Sequence, residues 1–164
     1  DQPVGGWDVS KVTAMSGAFY GAVSFDQAIG AWDVSSVKTM ASAFDQATAF
    51  NQDIGAWDVS SVTDMHYAFY ATTFNQAIGD WDVSKVTNME MTFEGAAVFN
   101  QDIGAWDVSS VTIMYAMFRE ATAFDQNISA WNTSFVEDMQ YMFSSSGLHS
   151  CPSWAVGKVA GGPC

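Results

Sequence analysis

The stretch Ile54-Gly-Ala-Trp57-Asp58-Val59-Ser60-Ser61-Val62-Thr63-Asp64-Met65 decides how this chain is read, because variants of it return five more times. Its Trp-Asp-Val-Ser core stands at Trp7, Trp32, Trp57, Trp81 and Trp106, and once more in the altered form Trp131-Asn132-Thr133-Ser134, at intervals of 25, 25, 24, 25 and 25 residues. A constant period of that length marks stacked units, none of which can bury its apolar side alone. The units run 7–31, 32–56, 57–80, 81–105 and 106–130, and a sixth opens at Trp131 and fades after Phe143. Residues 1–6 align with the end of a unit, so the chain reads as opening inside one. We divide it into a six-unit repeat over 1–143 and a C-terminal cap over 144–164.

Inside each unit the apolar residues keep fixed columns. An Ile stands three places before the Trp (Ile29, Ile54, Ile78, Ile103, Ile128) and a Val two places after it (Val9, Val34, Val59, Val83, Val108). A second Val then leads at i, i+3 and i+7 to a Met and a Phe, as in Val62, Met65 and Phe69. A further Phe closes the unit (Phe25, Phe50, Phe74, Phe99, Phe124). Alternation in Trp-Asp-Val-Ser predicts a strand with Trp and Val inward, and the i, i+3, i+7 spacing predicts a short helix or 3-10 segment capped by Ser or Asp. The fold expected is therefore an α/β repeat solenoid, with one short parallel strand and one short helix per unit. Its exposed ends need caps, and Leu148, Trp154 and Val156 are the expected plugs at the C-terminal end.

The units Phe50-Asn51-Gln52-Asp53-Ile54-x-x-Trp57-Asp58-Val59-Ser60-Ser61-Val62-Thr63-x-Met65 and Phe99-Asn100-Gln101-Asp102-Ile103-x-x-Trp106-Asp107-Val108-Ser109-Ser110-Val111-Thr112 resemble the mycoplasma-lipoprotein or bacterial surface-protein repeat family, a relative of the BspA-like leucine-rich repeats. The resemblance covers about residues 1–143. It implies a leucine-rich-repeat-like solenoid in a cell-surface or extracellular setting, with adhesion or partner binding as its use. The unit at Trp131, with Asn132, Thr133 and Phe135, and the cysteine-bearing tail depart from the pattern.

Charge narrows the partners. Eighteen acidic residues stand against five basic ones, a formal net charge of −13, which disfavours nucleic acid and anionic membranes and favours cations or basic partners. No apolar run approaches the roughly 20 residues of a membrane-spanning helix. Both cysteines, Cys151 and Cys164, lie in the tail. Their pairing would fit an oxidising compartment, with two free thiols as the alternative. Asn127 and Asn132 open sequons that fit a secreted chain.

Two columns could carry chemistry. If Asp8, Asp33, Asp58, Asp82 and Asp107 lined an outer sheet face about 4.8 Å apart, each neighbour would cost roughly 3 to 4 kcal/mol at an effective dielectric of about 20. One reading makes Asp33, Asp58, Asp82 and Asp107 a row of calcium sites. The preferred one has each Asp accept from the backbone N–H of the following Ser, because Asp-x-Ser spacing suits local capping. The column Asp1-Gln2, Asp26-Gln27, Asn51-Gln52, Asn75-Gln76, Asn100-Gln101 and Asp125-Gln126 is expected to hydrogen-bond from unit to unit. The Met column reads as core and not as a soft-metal site, and no resident cofactor is expected.

Residues that vary between units are the natural contact surface, since packing does not fix them. Tyr67, Tyr70, Tyr115 and Tyr141 fall there with His66, Glu90, Glu94 and Arg119, and the four tyrosines together with the Asp column form the candidate partner-binding set. Two histidines and no nucleophile motif leave catalysis without support. The expected function is a non-enzymatic surface scaffold that binds a protein or glycan. A calcium-dependent adhesin and an ice- or mineral-binding surface built on the Ser row (Ser10, Ser35, Ser60, Ser84, Ser109) are the alternatives.

Overall fold

In each unit the chain first turns sharply. In the computed structural model, which describes residues 2–161 and 164, Asp8 Oδ1 accepts from the Ser10 N–H at 3.1 Å, and Val12 N–H donates to the Val9 carbonyl at 2.8 Å. The same β-turn recurs from Val37 to Val34, Val62 to Val59, Val86 to Val83 and Val111 to Val108. Trp-Asp-Val-Ser is thus an Asx turn running into a β-turn. The expected strand is absent there because the Asp and its Ser bend the backbone where a strand would have to run straight. Parallel pairing occurs instead as single bridges six residues past each Asp: Ala14 to Thr39, Thr39 to Asp64, Asp64 to Asn88, Asn88 to Ile113 and Ile113 to Asp138.

The Val-Met-Phe segment is not a helix either. From each bridge onward, alternate residues donate in two directions. Met40, Ser42, Phe44 and Gln46 donate to Asp64, His66, Ala68 and Tyr70 of the next unit, whereas Ala43 and Ala47 donate back to Met40 and Phe44. Every unit from the first to the fifth repeats the forward bonds, and the backward pair recurs in all but the third, where of that pair only Ala68 to Met65 forms. The pattern requires left-handed backbone at two columns four residues apart, Gly17, Ser42, Tyr67, Met91, Ala116, Tyr141 and Gly21, Gln46, Ala71, Gly95, Glu120, Ser145, with φ between 50° and 69°. Each non-glycine residue there costs roughly 1 kcal/mol, and the ladder bonds it permits offset that. The i, i+3, i+7 spacing reflected burial on one side of this path and not helical winding.

Among the described residues there is accordingly no helix and no strand longer than a single bridge. The α/β repeat solenoid and the leucine-rich-repeat-like architecture implied by the BspA-like resemblance are both overturned. What forms is a stack of six irregular coils, numbered 1 to 6 in chain order.

Side chains fill the stack as columns. Phe44, Phe69, Phe93, Phe118 and Phe143 are fully buried, and from Phe19 onward successive rings lie 5.3, 5.5, 5.6, 5.8 and 6.1 Å apart, near parallel. The Met column and Trp32, Trp57, Trp81, Trp106 and Trp131 are buried beside them. Each of these five indoles donates to the carbonyl of the Ile-column residue 27 or 28 places earlier, as Trp57 Nε1 does to Ile29 O at 3.1 Å. The coils approach closely at Gly55, where an added Cβ would lie 2.6 Å from the Ala77 carbonyl oxygen. Coil 3, one residue short, is closed by Thr72, whose hydroxyl donates to Phe69 O at 3.1 Å and accepts from the Phe74 N–H.

The ends differ. Trp154, which lies outside the repeat in sequence, continues the Trp column: its ring lies 6.4 Å from Trp131 at 11°, and Nε1 donates to Ile128 O at 3.1 Å. Leu148, Ala155 and Val159 are buried with it, whereas Val156 points outward. The Cys151–Cys164 disulfide closes this segment. At the other end Trp7 is 59% exposed.

Candidate partner-binding surface

The Asp column is already engaged. Asp8, Asp33, Asp58, Asp82 and Asp107 are all exposed, and each turns Oδ1 to the Ser two residues on, at 3.0 to 3.1 Å from its N–H. Hydroxyls of Ser10 and Ser35 reach the same oxygen at 2.6 Å. The Ser hydroxyl, and after it the Ser N–H, holds each carboxyl below the usual carboxylate range. Neighbouring carboxylates push the other way at Asp33, Asp58 and Asp107, more weakly than those hydrogen bonds pull. Among the described residues no three carboxylates, histidines or cysteines are grouped as they would need to be around a metal ion.

The amide column stitches the connectors together. Asn75 N–H donates to Asn51 Oδ1 at 2.8 Å, Asn100 N–H to Asn75 Oδ1 at 2.9 Å and Asp125 N–H to Asn100 Oδ1 at 2.9 Å. His149 continues the column into the tail, with its N–H 2.8 Å from Asp125 Oδ1. Asp1 lies outside the described residues. Both sequon asparagines, Asn127 and Asn132, are exposed and cap Asx turns to Ser129 and Ser134.

The varying residues gather along the ladder. Tyr67 is placed by its left-handed backbone, 5.4 Å from Tyr70 and 5.9 Å from His66 between ring centroids. Further along, Tyr115 meets Tyr141 edge-on at 5.8 Å. Beside Tyr115 is an open hollow of about 410 Å³ lined by Glu90, Ile113, Tyr115, Glu137 and Asp138. Two carboxylates elsewhere on the ladder are buried, Asp45 and Glu94. Burial raises both above the usual range. Arg119 Nη1 stands 3.6 Å from Glu94 Oε1, while Glu94 Oε2 meets no donor among the described residues. Burial, and after it Glu90 and Glu94, also raises Tyr67.

The candidate tyrosines thus form two pairs, Tyr67 with Tyr70 and Tyr115 with Tyr141, and each Asp of the column is held by its own Ser. Sequence reasoning missed Asp45, Glu137 and Asp138. For Asp45 the available signal was the column directly after each Phe, where Tyr20, Asp45, Tyr70, Glu94 and Arg119 never repeat between neighbouring coils.

No helix among the described residues is long and apolar enough to cross a membrane. No curated protein and no solved structure matches the chain at a significant level. A family described as Mycoplasma protein of unknown function, DUF285, matches residues 1–82 and again residues 69–161, and the chain belongs to that family.

Proposed function

We propose that this chain is a non-catalytic scaffold, extracellular or at a cell surface, that presents an acidic, tyrosine-bearing face to a protein or glycan partner. The observation that carries this reading is the hollow where Glu90, Glu137 and Asp138 surround Tyr115, on columns whose residues change from coil to coil. Carboxylates around an aromatic ring suit a lysine, arginine or amino-sugar group, because the cation gains both ion pairing and the ring face. The net charge of −13 steers such partners toward the chain.

The test is to probe arrays of basic peptides and of amino-sugar and neutral glycans with the labelled chain, in parallel with a triple variant, Tyr115→Ser, Glu137→Gln and Asp138→Asn. Asn at 138 keeps the oxygen that accepts from the Gln140 N–H, so folding is preserved. Ligands retained by the parent and lost by the variant support the reading. Failure of both arrays, or equal retention by the variant, overturns it.

A further inference from the structure

Glu90 stands between two aromatic stations on the ladder. On one side the Tyr67 N–H donates to the Glu90 carbonyl at 2.9 Å, and on the other the Met91 N–H donates to the Tyr115 carbonyl at 2.9 Å, so Tyr67, Glu90 and Tyr115 follow one another through coils 3, 4 and 5. The Glu90 side chain lines the Tyr115 hollow with Glu137 and Asp138. After burial, the charges of Glu90 and Glu94, with Asp45 behind them, are what the Tyr67 hydroxyl feels. Glu94 is only 7% exposed, and its Oε2 meets no donor among the described residues. Arg119 is shared between Glu94 at 3.6 Å and Glu120 at 3.4 Å, which leaves the Glu94 charge half-compensated. Apart from the tyrosine hydroxyls, the side chains at both stations only accept hydrogen bonds. A sugar hydroxyl asks for donor and acceptor together, whereas a lysine ammonium or an arginine guanidinium only donates. An acceptor-only lining selects the cation.

Resting on the reading of the Tyr115 hollow above, we propose that the ladder face of coils 3 to 6 binds one unfolded basic peptide segment at two stations, Tyr67 with Glu94 and Tyr115 with Glu137 and Asp138, and that Glu90 serves both. Ladder neighbours lie about 4.8 Å apart, so stations two coils apart are separated by about 10 Å. Polyproline II is a major conformer of unfolded chains, and it brings side chains i and i+3 to one edge about 9.3 Å apart. Side chains i and i+2 fall on different edges of it. The ligand is therefore a segment with two lysines or arginines three places apart. Once the first cation is seated, the second contact forms within the same complex and tightens it.

Labelled Ser/Pro peptides that carry one lysine, or two lysines one to five places apart, test this, with Kd for the whole chain read by fluorescence polarisation at low salt. Expected is binding of the i, i+3 peptide at least fivefold tighter than that of the i, i+2 peptide of equal charge. Tyr67→Ser is expected to bring the i, i+3 peptide to the level of the single lysine, and Glu90→Gln to weaken both. Ser42 holds the position equivalent to Tyr67 in coil 2 with the same left-handed backbone, so the fold accepts Ser there. Equal Kd at every spacing, or a Tyr67→Ser chain that binds the i, i+3 peptide as the parent does, overturns the two-station site and leaves the Tyr115 hollow as a single cation site. Binding of amino-sugar glycans without binding of any peptide also overturns it and leaves the hollow standing. Loss of peptides and glycans alike sinks both readings.

Discussion

At the scale of single residues, two kinds of carboxylate pull in opposite directions with pH. Asp58 is held below its ordinary pKa by the Ser60 hydroxyl and N–H. Its contribution is present above about pH 4, the unfolded value, and is lost as pH falls through the folded one. Glu94 is held above its ordinary pKa by burial. Its charged form therefore opposes folding, a penalty absent below about pH 4.3 that grows as pH rises toward the folded value. Asp58→Ala is expected to cost about 0.5 kcal/mol at pH 7, the low end for an exposed cap, with the deficit shrinking at pH 2.5. Asp58→Asn is expected to be near neutral, since Asn132 makes the same bond to Ser134 in coil 6. Glu94→Gln is expected to raise Tm at pH 7 and to lose that advantage in acid. Thermal melts of the three variants at both pH values check all of this, and a Glu94→Gln chain less stable than the parent at pH 7 would show that Arg119 outweighs burial.

At the scale of the coil, the side-chain columns were legible in the sequence and the backbone path was not. Burial of Val, Met, Phe and Trp follows from apolarity repeated at fixed positions, and it holds whatever curve the chain takes between them. A helix and the two-way ladder both put residues 62, 65 and 69 on one side, so spacing could not separate them. The glycines could have. Gly17, Gly21 and Gly95 sit inside the supposed helical segment, in the two columns that turn left-handed, and a helix disfavours them there. The Asp column was legible as a local cap, because Asp-x-Ser acts within three residues. The Tyr115 hollow was not, because it is assembled from three coils whose alignment across the ladder the sequence does not display. Gln46→Gly separates the two pictures by sign. In a helix interior it would cost about 1 kcal/mol. Here, at φ 57° on an exposed residue, relief of left-handed strain is expected to gain up to about 1 kcal/mol, and Gly95→Ala to lose a similar amount. Urea denaturation reads both.

At the scale of the whole molecule, the uniform direction of the ladder gives the stack a polarity, with acceptors at one end and donors at the other, and the tail engages one of those donors, the Tyr141 N–H. Reduction of Cys151–Cys164 removes a cross-link over a separation of 13 residues, for which chain entropy gives about 3 kcal/mol. Reductant is therefore expected to lower Tm, and identical melts with and without it would contradict a stabilising bridge. Deleting residues 151–164 has a larger consequence. It removes Trp154, Ala155 and Val159 and frees the Tyr141 N–H from Ala160, leaving a C-terminal face of outward ladder donors over an apolar column. In another molecule the carbonyls of Ala14, Ser16, Ala18 and Tyr20 receive no donor from the described residues, and Phe19 and Phe25 are half-buried, so the two faces are complementary. The contact is heterologous, so nothing closes it, and such contacts propagate. The truncated chain is expected to grow head-to-tail with concentration, and the intact chain is not. Replacing Trp7 and Phe19 by Ser in the truncated chain should stop the growth at the acceptor end. Light scattering across a dilution series distinguishes these cases: a truncated chain that stays folded and monomeric throughout would mean that the two ends do not complement each other.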